Sequence, residues 1–516
     1  MKFHIIIYGC QMNYSDSARI KAVLHNCWWE YVEEKSEADI VILDTCSVRQ
    51  KSEDKVRWEL KELRKLDNAP KVRLTGCMIQ HNLNLKKTRT TKSKKYQLGN
   101  FVGNVATQEP ILVGIQDVEE DKKLKDIVRD FVKWTNDVTD NLLYINHAFN
   151  PLFKQMQTEF PQVELFFRIN DVGMLPYVIA ELWYEWIRKA DIEIVNEYQS
   201  IIPHSANQIF AENTKTAYVP ISSGCSQFCA YCIVPYARGL EKNRPVDEIL
   251  TEIKHHIQNG VEEIVLLGQI VNKHPDFYEI LKSTCETPGV RWVRYTSPYP
   301  TYYDEKIFDL HDKVENLCPH IHMPLQSWST AVLKKMFRGY TADQYKKFVD
   351  QIRGLSRPIS LTSDIIVWFT DETEQDFQES LSLSEYARFD MIYIGIYSPR
   401  PGTYGARKYE DNIPQKIKKE RHHRLNDLLI NISKENNLSE IWTHREMIVR
   451  EVQDEMIVGY TDNMKNVGIA IPKKVHTTHE MSTSMWFTDS ITPGQFLNIK
   501  IIDTWPFNLL GEIIDG

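Results

Sequence analysis

Gly224-Cys225-Ser226-Gln227-Phe228-Cys229-Ala230-Tyr231-Cys232 follows directly on the apolar run TAYVPIS at 216–222. The spacing is C-x3-C-x2-C, on a loop straight after a strand. Three thiolates this close suit three corners of an iron–sulfur cube, which normally takes four Cys. With only three nearby, one iron is left for a ligand from outside. A zinc site is the alternative, but it normally closes with a fourth Cys or His, and none is near. Downstream, EEIVLLG, VRWVRYT, HIHMPLQ, ISLTSDIIV and MIYIGIYS read as further strands, with helices such as Val246–Asn259 and Thr341–Leu355 between them. Six βα-type units over 216–436 predict a barrel or partial barrel, with its chemistry at the carboxyl ends of the strands.

The first 80 residues carry a related pattern. FHIIIY runs into Gly9-Cys10, DIVILD into Thr45-Cys46, and KVRL into Thr75-Gly76-Cys77. Each apolar run reads as a buried strand. Helical stretches at Ser15–His25 and Glu53–Leu66 alternate with them, which predicts a parallel sheet. Ligands gather at the carboxyl ends of such strands, and all three cysteines lie there. On residue type alone, buried core thiols are an equally good reading of them. Residues 81–160 open with Lys86, Lys87, Arg89, Lys92, Lys94 and Lys95. They read as a solvated insertion, with an RNA-contacting arm as the alternative. A basic linking helix at 414–435 precedes a strand-rich tail with turns at Thr461-Asp462-Asn463 and Pro493-Gly494, which suits a small antiparallel barrel. The domain boundaries expected are 1–215, 216–436 and 437–516.

The chain has 516 residues, 42% hydrophobic and 26% charged, an ordinary globular balance. Its net charge of −8 means that any nucleic acid must meet a local basic surface. No apolar run is long enough for a membrane span, and MKFHIIIYGC lacks the pattern of a secretory signal. Nine cysteines, an odd number without an export signal, point to a reducing, cytoplasmic compartment.

The 225–232 motif, with the aromatic Tyr231 before its last Cys, resembles the signature of the radical S-adenosylmethionine (SAM) superfamily. Further segments resemble one branch of it, the tRNA methylthiotransferases. They are Cys10-Gln11-Met12-Asn13, Asp44-Thr45-Cys46-Ser47-Val48-Arg49 (Asp for the branch's Asn), Thr75-Gly76-Cys77, Cys232 to Gly239, Leu267-Gly268-Gln269, Thr296-Ser297-Pro298, Pro324-Leu325-Gln326-Ser327 and Tyr397 to Thr403. The tail resembles a TRAM module, an RNA-binding barrel. Ser47-Val48-Arg49 points to the subfamily acting on isopentenyladenosine (dimethylallyladenosine) beside the anticodon.

The resemblance implies that Cys225, Cys229 and Cys232 hold a [4Fe-4S] cluster that binds SAM. It implies that Cys10, Cys46 and Cys77 hold a second, and that Tyr231, Gly268, Gln269 and the 368 position lie at the SAM site, although Gln269, at a strand end, reads equally well as part of a plain turn. Cys27, Cys285 and Cys318 match no motif and are expected to be structural. The adenine C2–H is strong and not acidic, so a radical from SAM is the fitting way to remove it. Sulfur delivery and methylation by a second SAM then complete a methylthio group. tRNA, an electron donor such as flavodoxin or ferredoxin, and a sulfur and cluster supply are the partners implied. The rival readings are the branch acting on threonylcarbamoyladenosine, and a catalytically impaired RNA-binding iron–sulfur protein. His320 and His322 read as satisfied strand histidines. The run Lys416, Lys418, Lys419, Arg421, His422, His423 and Arg424 reads either as a solvated helix face or as a tRNA phosphate contact.

Two departures concern tryptophan. Gln326-Ser327-Trp328-Ser329 stands where the family has QSGS, and Trp368 stands where DIIVGFPGET has its first Gly. Gly at a barrel strand end allows close backbone approach to a ligand, and an indole there fills the space. Either the enzyme is altered, or a UGA codon read as glycine in some bacterial lineages has been translated as Trp. Gly at 21 residues, about 4% where about 7% is usual, and Trp at 12 fit the second reading, with Trp28 or Trp29 as a further instance.

Overall fold

The structure is a computed structural model that describes residues 1–26, 29–46, 50–66, 68–79, 155–156, 158–167, 169, 215–471 and 491–514. Cys27, Trp28, Ser47-Val48-Arg49 and nearly all of the 81–160 insertion lie outside the described residues. The chain divides into two compact units. One comprises Met1–Phe210 with Ser223–Gln227 and Cys232–Lys242; the other comprises Ala211–Ser222, Phe228–Tyr231 and Asn243–Gly516.

The first unit is built on β1 (Lys2–Tyr8), β2 (Glu30–Tyr31), β3 (Ile40–Thr45), β4 (Lys71–Gly76) and β5 (Val163–Phe166). The order is β2-β1-β3-β4-β5, and every pairing is parallel. β1, β3 and β4 are the three apolar runs expected; β2 and β5 are additions that no long apolar run announced. Every residue of β3 is buried, as suits an inner strand covered on both faces. Helices Gln11–Asn26 and Gln50–Leu63 supply the crossovers. Val41, Leu43, Val56, Leu60, Val72 and Leu74 share one core, each side chain contributing about 1.5–3 kcal/mol by burial. The chain runs from β1 outward in both directions, so the crevice at the carboxyl ends of β1 and β3 is where ligands collect in such sheets.

The second unit contains all six strands expected of the barrel. They are β6 (Thr216–Pro220), β9 (Glu263–Leu267), β10 (Trp292–Tyr295), β11 (His320–His322), β12 (Ser360–Val367) and β13 (Met391–Ile396). β7 (Ser222–Ser223) and β8 (Lys242–Asn243) form a short two-stranded ribbon. The six strands make two parallel sheets, β10-β9-β6 and β11-β12-β13, joined by a parallel bridge between Val293 and Leu317. This is the partial barrel the alternation predicts. Its helices are well specified locally: Thr341 and Gln344 form a capping box at the start of Ala342–Arg353.

Helix Gln415–Leu438 leads to a closed barrel of β14 (His444–Val452), β15 (Met456–Thr461), β16 (Asn466–Ala470), β17 (Phe496–Trp505) and β18 (Asn508–Ile513). The order is β14-β15-β16-β18-β17, antiparallel except for the parallel β16–β18 pair. Met447, Ile457, Val467, Ile499 and Leu509 fill its interior.

Candidate cluster and cofactor sites

The three N-terminal cysteines converge because the sheet register makes them. Tyr8 pairs with Thr45, and Thr45 pairs with Gly76, so β1, β3 and β4 end in one row. Cys10, Cys46 and Cys77 follow within two residues of that row. Gly76 has φ +91°, and a Cβ there would lie 2.3 Å from the Thr45 carbonyl oxygen, so only glycine delivers Cys77 to this point. Cys46 and Cys77 are buried and Cys10 is exposed, which leaves one open side to the cysteine cluster.

Asn13 ties the ends together. Its Oδ1 accepts from the Cys10 backbone N–H at 3.1 Å, and its Nδ2 donates to Asp44 Oδ1 at 2.8 Å. Ser17 Oγ donates to the other oxygen of Asp44 at 3.1 Å. Burial, then the charge of Asp16, pushes the Asp44 carboxyl up to about 8. Burial pushes the Cys77 thiol up to about 12 while Arg238 pulls it down, so iron would have to displace a proton there. Among the described residues, no three His, Cys, Asp or Glu side chains stand close enough to share a single metal ion. Thiols brought by the ends of three adjacent strands, with the Arg238 guanidinium beside one of them, are the donor type that an iron–sulfur cube takes.

The 225–232 loop is held from both ends. Gly224 has φ +73°, and a Cβ there would lie 2.2 Å from the Leu240 carbonyl oxygen. The Cys225 N–H donates to Gly239 O at 3.0 Å. The Ala230 N–H donates to Met336 O at 2.9 Å, and Gly405 N–H donates to Ala230 O at 2.6 Å. The half-buried Arg338 donates from Nη1 to Cys229 Sγ at 3.5 Å, from Nη2 to Pro324 O at 3.0 Å and from Nε to the Tyr340 hydroxyl at 3.0 Å. Its guanidinium lies 4.3 Å from the centre of the Tyr299 ring.

At the carboxyl ends of β9, β12 and β13, the buried polar atoms Gln269 Oε1, Thr370 Oγ1 and Tyr397 Oη find no protein partner. Orphaned polar atoms at barrel strand ends fit a polar ligand such as SAM. Gly268 is buried, and a Cβ there would meet Ser222 Oγ at 2.7 Å and Val271 Cα at 2.9 Å. Tyr231 packs edge-on to Phe369 with ring centres 6.4 Å apart. Trp368 stands at the end of β12, fully buried, with φ +67° and no partner for its indole N–H. Trp328 is also buried with an unpartnered indole, but it packs on Tyr345 and Phe389 and its backbone is not left-handed.

The remaining candidates sort by contact. His320 and His322 are hydrogen-bonded to Thr362, and His322 also to Asp364. Cys318 is buried and Cys285 partly so, and burial pushes both thiols up to about 12. Part of the basic run is internal rather than a solvated face: Lys418 pairs with Asp411 and Arg421 with Glu372 and Glu374, while Arg424 pairs with Glu374 and Glu420 at the surface. Lys416, Lys419 and His423 are exposed. Arg238 and Arg338 were not singled out by sequence reasoning. Arg238 lies inside the segment from Cys232 to Gly239 and Arg338 inside Phe337-Arg338-Gly339-Tyr340, and no local spacing marks either as the neighbour of a cysteine.

Comparison with known proteins places the Radical SAM superfamily on residues 219–384 and the uncharacterized protein family UPF0004 on residues 2–96. The tRNA-2-methylthio-N(6)-dimethylallyladenosine synthase of Dictyoglomus thermophilum is 30% identical over 99% of this chain and 98% of that protein. The one from Finegoldia magna is 29% identical over 99% of this chain and 94% of that protein. A solved radical S-adenosylmethionine methyltransferase from Kitasatospora setae, with cobalamin and a [4Fe-4S] cluster bound, is 12% identical, with a TM-score of 0.43, over 77% of this chain and 76% of that one.

Proposed function

The chain belongs to the tRNA-2-methylthio-N(6)-dimethylallyladenosine synthase family, and from that premise we propose that it methylthiolates C2 of N6-dimethylallyladenosine beside the anticodon of tRNA. It is a radical SAM transferase with two [4Fe-4S] clusters and SAM as cofactors. The observation that carries the reading is near-complete coverage in both directions at 30% identity. When bound, the cofactors supply radical removal of the C2 hydrogen, sulfur insertion, and methyl transfer from a second SAM.

The chain's own residues do the holding. Cys225, Cys229 and Cys232 bind the cluster that takes SAM, and Gly224 sets their loop. Gly268, Gln269, Tyr231 and the 368 position line the SAM site, where the orphaned Gln269 Oε1 offers an acceptor. Cys10, Cys46 and Cys77 bind the second cluster. The closed C-terminal barrel, a TRAM-like module, belongs to a class of small barrels that bind oligonucleotides, and it takes the tRNA together with the exposed face of helix Gln415–Leu438. A flavodoxin or ferredoxin supplies electrons, and a cellular sulfur and cluster supply feeds the reaction, in the cytoplasm. No described helix is long and apolar enough to cross a membrane.

Mass analysis of tRNA nucleosides from cells with and without the gene tests this. Loss of the gene should remove the 2-methylthio form and leave N6-dimethylallyladenosine in its place. A change confined to threonylcarbamoyladenosine would move the protein to the other branch. No change in either nucleoside would favour the catalytically impaired RNA-binding protein.

A further inference from the structure

We propose that Arg238 sets the reduction potential of the N-terminal cluster, by donating to its Cys77 ligand while Asp16 holds and partly neutralises the guanidinium. Arg238 ends the short helix Val234–Arg238 and lies in the first unit. Its Nε donates to Cys77 Sγ at 3.2 Å, and its Nη2 donates to Asp16 Oδ2 at 2.5 Å. The two side chains of the ion pair are 8% and 5% exposed, so solvent does not screen them. Asp16 lies on the helix that starts just after Cys10, and its other oxygen is 3.9 Å from Arg19 Nη1. One guanidinium therefore joins the helix that follows one cluster ligand to the sulfur of another. A planar fork with donors on two edges is what this geometry needs, and a lysine ammonium would not span it in the same way.

The direction of the effect follows from charge. Reduction adds an electron to a cluster that already carries anionic thiolates. A cation and a charge-assisted N–H···S bond at one thiolate favour the reduced form and raise the potential. A carboxylate on the far side of that cation works against it. Substitution of the two residues should therefore move the potential in opposite directions, whereas general loosening of the site would not.

The proposal rests on the assignment of Cys10, Cys46 and Cys77 as cluster ligands, and the experiment separates the two. The parent is the full chain with Cys225, Cys229 and Cys232 replaced by Ala, reconstituted with iron and sulfide so that the N-terminal cluster is alone. Its midpoint potential is read by redox titration with electron paramagnetic resonance. Arg238→Gln should lower the potential, Arg238→Lys should fall between, and Asp16→Asn should raise it. Removing Arg238 alone strands a buried carboxylate, so Asp16→Asn/Arg238→Gln is the control for folding. It should keep its iron and titrate below Asp16→Asn. An unchanged potential in that double variant relative to Asp16→Asn, or shifts of the same sign in the two single variants, overturns the proposal. A parent that holds no iron overturns the ligand assignment and the proposal with it.

Discussion

The backbone N–H of Trp368 donates to the carboxylate of Glu372 at 2.7 Å, and it does so from a left-handed backbone with φ +67°. Left-handed geometry costs a residue with a Cβ about 1–2 kcal/mol. The buried indole N–H without a partner costs about 1–3 kcal/mol more. Glycine removes both costs and keeps the bond to Glu372, which is a backbone bond. Against this, emptying a packed Trp site costs about 3–5 kcal/mol when nothing refills it. Trp368→Gly should therefore leave the ligand-free protein no more stable, or less so. With SAM to fill the space the balance reverses. Overpacking costs about 1–3 kcal/mol, so Trp368→Gly should tighten SAM binding roughly tenfold to a hundredfold, measured on cluster-loaded protein. Unchanged affinity would mean that the position does not line the pocket.

The same geometry bears on how the gene is read. Trp442 is a second left-handed tryptophan, with φ +70°, and it is largely exposed, with Lys500 Nζ 5.0 Å from the centre of its ring, so burial gives little reason for an indole there. If both positions are glycine in the living cell, their codons are UGA and native peptides should weigh as Gly at 368 and 442. UGG codons at both would end the idea. Trp328 is the informative third case, because its family position also calls for Gly while its backbone here does not demand it.

Iron content tests the two cysteine sets. Reconstituted protein should hold about eight irons, from two four-iron cubes. Replacing Cys225, Cys229 and Cys232 with Ala should leave about half of the iron and abolish SAM cleavage. Replacing Cys10, Cys46 and Cys77 should also halve the iron but leave SAM cleavage while stopping sulfur insertion. Full iron content in the second variant would sink the two-cluster assignment.

Much of this was readable in the chain because strand and cysteine were adjacent. Three apolar runs each ending within a few residues of a Cys placed Cys10, Cys46 and Cys77 at one end of a sheet, and the Tyr8–Thr45–Gly76 row delivers them there. β2, with two residues, and β5, reached only after the long insertion, carry no comparable signal. The cations beside the sulfurs were harder to see. Arg238 lies 161 residues from Cys77, and Arg338 lies 109 from Cys229, so no local spacing announces either contact. Nor does a run of basic residues say which of them face inward; Lys418 and Arg421 do, and only the fold shows it.

His311 gives the protein an acid-sensitive element. The side chain is fully buried, its Nε2 is hydrogen-bonded to the Tyr295 hydroxyl at 2.7 Å, and its Nδ1 has no partner. Burial, and then the charge of Arg357, pulls its pKa from 6.5 down to about 3. A depressed folded value means that the contribution to stability is complete above pH 6.5 and is lost as pH falls from there toward 3. The loss should be on the order of a few kcal/mol. Urea midpoints for His311→Gln should fall less steeply than those of the parent between neutral pH and pH 4. Parallel pH profiles would show that another group is responsible.

Salt dependence separates the two halves of the basic helix. Each phosphate contact contributes about one unit to the slope of log affinity against log salt. Lys416 and Lys419 are exposed and available to tRNA, so Lys416→Ala/Lys419→Ala should weaken binding and flatten the slope by about two units or less, with thermal stability unchanged. Arg421 is different. It is buried against Glu372 and Glu374, at 3.3 and 3.1 Å, and its removal strands a buried carboxylate. Breaking a buried pair from one side typically costs about 3–5 kcal/mol, so Arg421→Ala should lower the melting temperature without moving the salt slope. The same slope in Lys416→Ala/Lys419→Ala as in the parent would take this helix out of the tRNA interface.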